Sequence, residues 1–237
     1  CYERGMAEPT QLAEIQSVTA LTEHTRQLIL RPVDRPLSFQ PGQWISLQLP
    51  ISDRPPLNRA YSLAAPPSDN GDLCLVFDHV PGGLASTYLC NLQPGDRFPF
   101  SGPYGRFVLP ELQAKGLLLL GRYSGLVPLR CMIRAMAEQR TLPQTTLIAH
   151  APSPGERLYH EEFIALAEAN PNFAYESVVT EPTDTLDGTL TMVRRLVSGD
   201  RACVPMIAGI RAFAHPLREL FLELGFDRKE VKLETYD

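Results

Sequence analysis

GLLLLGRYSGLVP, residues 116–128, is the stretch on which the fold turns. Leu117-Leu118-Leu119-Leu120 is an apolar run without alternation, as expected of a strand covered on both faces of a parallel sheet. It runs through Gly121, Ser124 and Gly125 into a helix expected over 128–139, with Pro128 suited to the first turn. Downstream, apolar runs and helical periods alternate: strands at 145–149, 173–179, 203–208 and 231–235, helices at 156–169, near 191–197 and at 216–224. This alternation predicts a doubly wound α/β domain with a parallel sheet over 113–237.

Upstream the texture changes. Trp44-Ile45-Ser46-Leu47-Gln48-Leu49 alternates apolar and polar residues, and 73–80 reads as another strand. The separators Pro41-Gly42, Arg54-Pro55-Pro56 and Pro94-Gly95-Asp96 are turn sequences. Short strands at this spacing predict a small antiparallel β-barrel over 7–112.

Composition narrows the function classes. In 237 residues, 44% hydrophobic and 21% charged, the chain is globular rather than disordered or coiled-coil. Its 22 basic and 27 acidic residues leave a net charge of −5, which argues against a duplex nucleic-acid partner. No apolar run approaches the roughly 20 residues of a transmembrane helix, so a soluble protein is expected. Residues 1–5 do not read as a signal peptide, and the absent initiator Met suggests a processed or truncated start. Five cysteines without a C-x-x-C pair exclude the usual zinc and iron–sulfur spacings. Their odd number makes a reducing compartment, cytoplasm or organelle stroma, the expected setting. Cys74, Cys90 and Cys203 read as small core residues. The histidines His24, His79, His150, His160 and His215 are scattered, and no metal site is expected.

Three segments of the first half form a set: Arg59-Ala60-Tyr61-Ser62, preceded by Phe39-Gln40-Pro41-Gly42-Gln43-Trp44; Pro81-Gly82-Gly83-Leu84-Ala85-Ser86; and Gly102-Pro103-Tyr104-Gly105-Arg106-Phe107. Taken singly they are ordinary strands and turns. In this order, ahead of an α/β half, the chain resembles the ferredoxin–NADP reductase-like flavoproteins from about Leu12 to Tyr236. The resemblance implies a barrel that binds FAD and an α/β domain that binds pyridine nucleotide.

It also implies site residues. Arg59 would grip the pyrophosphate with its planar guanidinium. Ala60 and Tyr61 would lie beside the ribityl chain and ring, and Ser62 near the flavin N5. Asp78, His79 and Val80 match the strand end on the ribityl and adenosine side. Gly83, Leu84, Ala85 and Ser86 would bring bare backbone and a helix start, opened by Ser86, to the phosphates. Ser124 would face the flavin from the α/β domain, and Tyr236 would cover the ring, unless it is a strand-end tyrosine packed on the core. Ser62 and Tyr236 are the expected catalytic pair.

The second half departs from that pattern. Where the family carries glycine-glycine-threonine-glycine, this chain has Arg122, Tyr123, Ser124 and Gly125. His150-Ala151-Pro152-Ser153, Thr180-Glu181 and Ala208-Gly209-Ile210-Arg211 replace other nucleotide-contacting segments, Glu181 with inverted charge. Glu161 and Glu162 read as a solvated helix face. The expected function is an FAD-dependent oxidoreductase or electron-transfer flavoprotein with weakened or lost NAD(P)H binding. Its partner would be a redox protein or a small-molecule donor or acceptor. The alternatives are an FAD-containing assembly subunit without turnover and a conventional NAD(P)H reductase with unusual loops.

Overall fold

The computed structural model describes residues 10–51, 56–111, 115–180, 185–197 and 202–236. Cys1 and Glu181 therefore lie outside the described residues.

The first half is an antiparallel sheet of six strands: β1 (Gln11–Ala20), β2 (Thr25–Pro32), β3 (Trp44–Leu49), β4 (Leu57–Ser62), β5 (Leu73–Asp78) and β6 (Arg97–Tyr104). Their order is β4-β3-β6-β1-β2-β5, and an antiparallel bridge between Leu63 and Leu75 joins its two ends into a barrel. Ile15, Leu28, Ile45, Leu47, Phe98 and Phe100 fill the interior. The short helix α1 (Leu84–Cys90) precedes β6 and begins at Leu84, so Ser86 lies inside it rather than opening it.

The second half is a parallel sheet in the order β11-β10-β7-β8-β9, from β7 (Gly116–Arg122), β8 (Thr145–Ala151), β9 (Phe173–Val179), β10 (Cys203–Gly209) and β11 (Lys232–Thr235). The leucine run explains itself in three dimensions. Leu117 and Leu119 join the core on one face, with Met132 and Phe163, while Leu118 and Leu120 join the other, with Val193, Phe213 and Leu217. The helices are α2 (Leu126–Glu138), α3 (His160–Ala169), α4 (Asp187–Leu196) and α5 (Arg211–Glu223).

Several boundaries differ from the sequence expectation. A 3₁₀ turn over Tyr123–Gly125 leads directly into α2 at Leu126, which keeps Pro128 in the first turn, where its missing N–H is harmless. Pro154–Glu156 forms a separate 3₁₀ turn, so α3 starts at His160 rather than at 156. Helix α4 starts at Asp187, upstream of the expected start near 191. Helix α5 starts at Arg211 with Pro216 in its interior, one tertiary packing outcome that the proline concealed.

Chain order reverses between β7 and its neighbour β10, which makes the crevice at their carboxyl ends the topological switch point of the sheet. Gly125 lies there because a Cβ would stand 2.2 Å from the Ala208 carbonyl oxygen.

Candidate flavin site between the barrel and the parallel sheet

Strand β4 pairs with β3 in a register that sets Ser62 opposite Trp44 and Tyr61 opposite Ile45. The last residues of β4 thus reach the barrel rim facing the carboxyl edge of the parallel sheet. An open cleft of about 490 Å³ lies there, lined by Ala60, Tyr61, Ser62, Asp78, Ser124 and Tyr236 among others. Six residues singled out in the sequence meet in this one cleft. A second cleft of about 820 Å³ adjoins it through Ala60, Ser62 and Tyr236, and adds Arg59, Trp44 and Glu234.

Individual environments differ. Ser62 is buried and lines the same cleft as Tyr236. Tyr236 is 44% exposed. Desolvation raises its phenol pKa above the ordinary range, and the Ser62 hydroxyl acts in the opposite sense. The Tyr61 ring stands edge-on to Phe77 with centroids 6.3 Å apart, and burial pushes its phenol up to about 12. Arg59 is exposed and donates to the Asn58 carbonyl at 2.8 Å. Asp78 accepts from the Thr25 hydroxyl at 2.8 Å, and the His79 amide donates to His24 O at 2.7 Å.

Val80, Gly83, Leu84, Ala85 and Ser86 line neither cleft and form the turn into α1. Gly82 holds φ +75°, and a Cβ on Gly83 would stand 2.8 Å from Ser86 Oγ. The Ser86 hydroxyl is committed to this turn. It accepts from the Val80 amide at 3.1 Å and lies 3.1 and 3.2 Å from the Val80 and Gly83 carbonyl oxygens, which share its single proton. The turn therefore offers a ligand its backbone amides, the unpaired donors of a helix start, rather than this side chain. An exposed guanidinium, a glycine turn opening a helix, and an open aromatic-lined cleft fit a flavin dinucleotide.

The opposite wall, at the switch point, is filled. Arg122 is 6% exposed and donates to the Tyr123 hydroxyl at 3.2 Å, with its guanidinium carbon 4.9 Å from the ring centroid. Tyr123 takes a left-handed φ of +55° and donates to the Thr180 carbonyl at 3.2 Å, spanning from the end of β7 to the end of β9. His150 is fully buried, with Nδ1 3.3 Å from Thr180 Oγ1 and Nε2 3.1 Å from Thr189 Oγ1. Burial, reinforced by the Arg122 charge, lowers its pKa to about 4.

Sequence reasoning missed several contacts here. Glu234 lines the second cleft, and desolvation raises its carboxyl pKa. The motif Glu234-Thr235-Tyr236, two residues from a flagged tyrosine, was the available signal. Glu162 is no solvated face: Arg130, 5% exposed, grips it with contacts of 2.7–3.0 Å. His24 meets Glu23 and Glu156 with possible ligand atoms within 4.8 Å of one another, a cluster that sequence spacing could not show. The four described cysteines are all free; burial pushes Cys74 up to about 11 and Cys131 up to about 12.

Residues 10–109 match the family described as the oxidoreductase FAD-binding domain. The chain is 30% identical to ferredoxin–NADP reductase B of Sorangium cellulosum, over 98% of this chain and 99% of that one. It is 37% identical to the reductase component of phenol 2-monooxygenase from Pseudomonas sp. strain CF600, over 64% of this chain and 42% of that protein. The chain therefore spans about half or less of such reductase components. Among solved structures, the cytochrome P450 reductase of Amycolatopsis superposes with a TM-score of 0.82 at 24% identity, over 97% of this chain and 71% of that one. Ferredoxin–NADP+ reductase of Plasmodium falciparum gives 0.80 at 17% identity, over 96% of each. No helix among the described residues is long and apolar enough to cross a membrane. With a barrel that matches the FAD-binding domain, a parallel sheet in the family's arrangement and a relative alike over its full length, the chain belongs to the ferredoxin–NADP reductase-like flavoproteins.

Proposed function

We propose that this chain is an FAD-dependent electron-transfer reductase that passes electrons between a donor and a partner protein, with a weakened site for pyridine nucleotide. The observation that carries this reading is the cleft where Ser62 of the barrel and Tyr236 of the parallel sheet meet. Bound there, FAD would supply the two-electron chemistry, which the protein orients and tunes. Arg59 and the amides at Leu84–Ser86 would hold the pyrophosphate, and Tyr61, Ser62 and Tyr236 would frame the ring. The names of two relatives, a phenol 2-monooxygenase reductase component and a toluate 1,2-dioxygenase electron transfer component, support a protein partner.

The weakened nucleotide site rests on packing. Arg122 and Tyr123 occupy the turn after β7, where the resemblance puts pyrophosphate against bare backbone, and Tyr123 is tied across to Thr180. A second reading, an ordinary NAD(P)H reductase, is favoured by the name of the full-length relative, a ferredoxin–NADP reductase. Anaerobic mixing of the FAD-loaded protein with NADH or NADPH separates the two. Slow or absent bleaching at micromolar nucleotide supports the weakened site, and rapid stoichiometric bleaching restores the ordinary reductase. A chain that cannot be loaded with FAD overturns both.

A further inference from the structure

Arg130 is a buried cation on the apolar helix α2, and it is the point where three segments of the protein converge. Its Nη1 donates to the Ala64 carbonyl of the barrel at 2.7 Å. Its Nε and Nη2 donate to the Glu162 carboxylate of α3 at distances from 2.7 to 3.0 Å. Its guanidinium carbon stands 3.7 Å from the centroid of the Tyr159 ring. Tyr159 holds this position with a left-handed φ of +55°, and its hydroxyl donates to Gln27 of β2 at 3.0 Å. A left-handed backbone at a bulky residue is unfavourable and persists only where its surroundings demand it.

Stability alone is a poor account of this cluster. Arg130 is buried while its partner Glu162 is partly exposed, and exchanging a buried charge for an apolar side chain of similar volume is commonly as stable or more so. What a methionine at this position could not supply is a planar fork aimed at fixed acceptors on two different domains. The barrel acceptor is well chosen. Ala64 lies two residues beyond Ser62, its amide donates to Cys74 O at 2.7 Å, and the intervening Leu63 bridges Leu75. The segment leaving β4 is thus held by β5 on one side and by Arg130 on the other.

We propose that Arg130 is a positioning residue for the flavin cleft. By fixing the Ala64 carbonyl against α2, it sets where Ser62 stands relative to the parallel sheet and to Tyr236. The inference rests on the reading of the Ser62–Tyr236 cleft as the flavin site.

The test compares wild type with Arg130→Met, Arg130→Lys and Glu162→Gln as FAD-loaded full chains. Flavin content and melting temperature report folding. The visible circular dichroism of the flavin and its midpoint potential, from a dye-equilibrated dithionite titration, report the cleft. Arg130→Met is expected to bind FAD, to change the flavin dichroism, and to alter the preference for reduced over oxidised flavin about tenfold, close to 30 mV for a two-electron couple. Arg130→Lys is expected to recover part of this, and Glu162→Gln to shift less because the Ala64 bond survives. An Arg130→Met protein with wild-type dichroism and potential, altered only in melting temperature, overturns the inference. If that variant does not fold, wild-type potentials in both Arg130→Lys and Glu162→Gln overturn it equally. A wild-type chain that takes up no FAD overturns instead the reading of the cleft, and this inference with it.

Discussion

Ser62 and Tyr236 line the same two adjoining clefts, one from the barrel and the other from beside the parallel sheet. One residue ends β4, and the other follows β11, the edge strand of the second sheet. Tyr236 is partly exposed and lines both clefts, so its ring can serve as one wall of a planar site. Removing the phenol hydroxyl in Tyr236→Phe tests whether it pairs with Ser62 across the cleft. The expected loss is about 0.5–1.5 kcal/mol of stability, read by urea denaturation. Deleting residues 235–237 is expected to change flavin fluorescence and potential as well; unchanged flavin spectra would assign Tyr236 to packing alone.

Arg59 is the exposed cation beside the cleft. Arg59→Ala is expected to weaken FAD binding by about 1.5–3 kcal/mol, roughly one to two decades in dissociation constant, by loss of a charge-assisted contact. Fluorescence titration of flavin-free protein measures it, and an unaltered constant would remove Arg59 from the site.

Arg122 and Tyr123 together fill the turn after β7. Replacing both with glycine also relieves the left-handed backbone at Tyr123. The double variant is expected to be reduced by NADH or NADPH about tenfold faster than wild type at limiting nucleotide, by stopped-flow absorbance. No gain would show that occlusion of this turn is not the obstacle.

His150 is buried as the neutral imidazole between Thr180 and Thr189, its pKa lowered to about 4 from an unfolded value near 6.5. Between these values the unfolded chain binds a proton that the folded one does not, so stability is full above about pH 6.5 and falls as pH drops toward 4. The loss is up to about 3 kcal/mol at the acid end of that window. Urea midpoints across this range should show the slope in wild type and a shallower one in His150→Gln. Equal slopes would assign the acid sensitivity to other groups.

Both architectures were legible in residue order. The unbroken Leu117–Leu120 run and the alternation in Trp44–Leu49 are local signals, because burial on two faces or on one is written directly into residue order. Arg59, Tyr61, Ser62 and Tyr236 were singled out through the resemblance of their segments to the family, and the structure brings all four to two adjoining clefts. Helix starts were less so. Pro216 reads as a boundary, yet packing of Phe213 and Leu217 in one core extends α5 through it. The tertiary structure alone decided the partners distant in sequence. Arg130 meets Ala64 and Glu162 at sequence separations of 66 and 32, and Tyr123 meets Thr180 at 57. No residue pattern announces such pairs, because their energy arises only once folding has removed the water between groups that the chain order keeps apart.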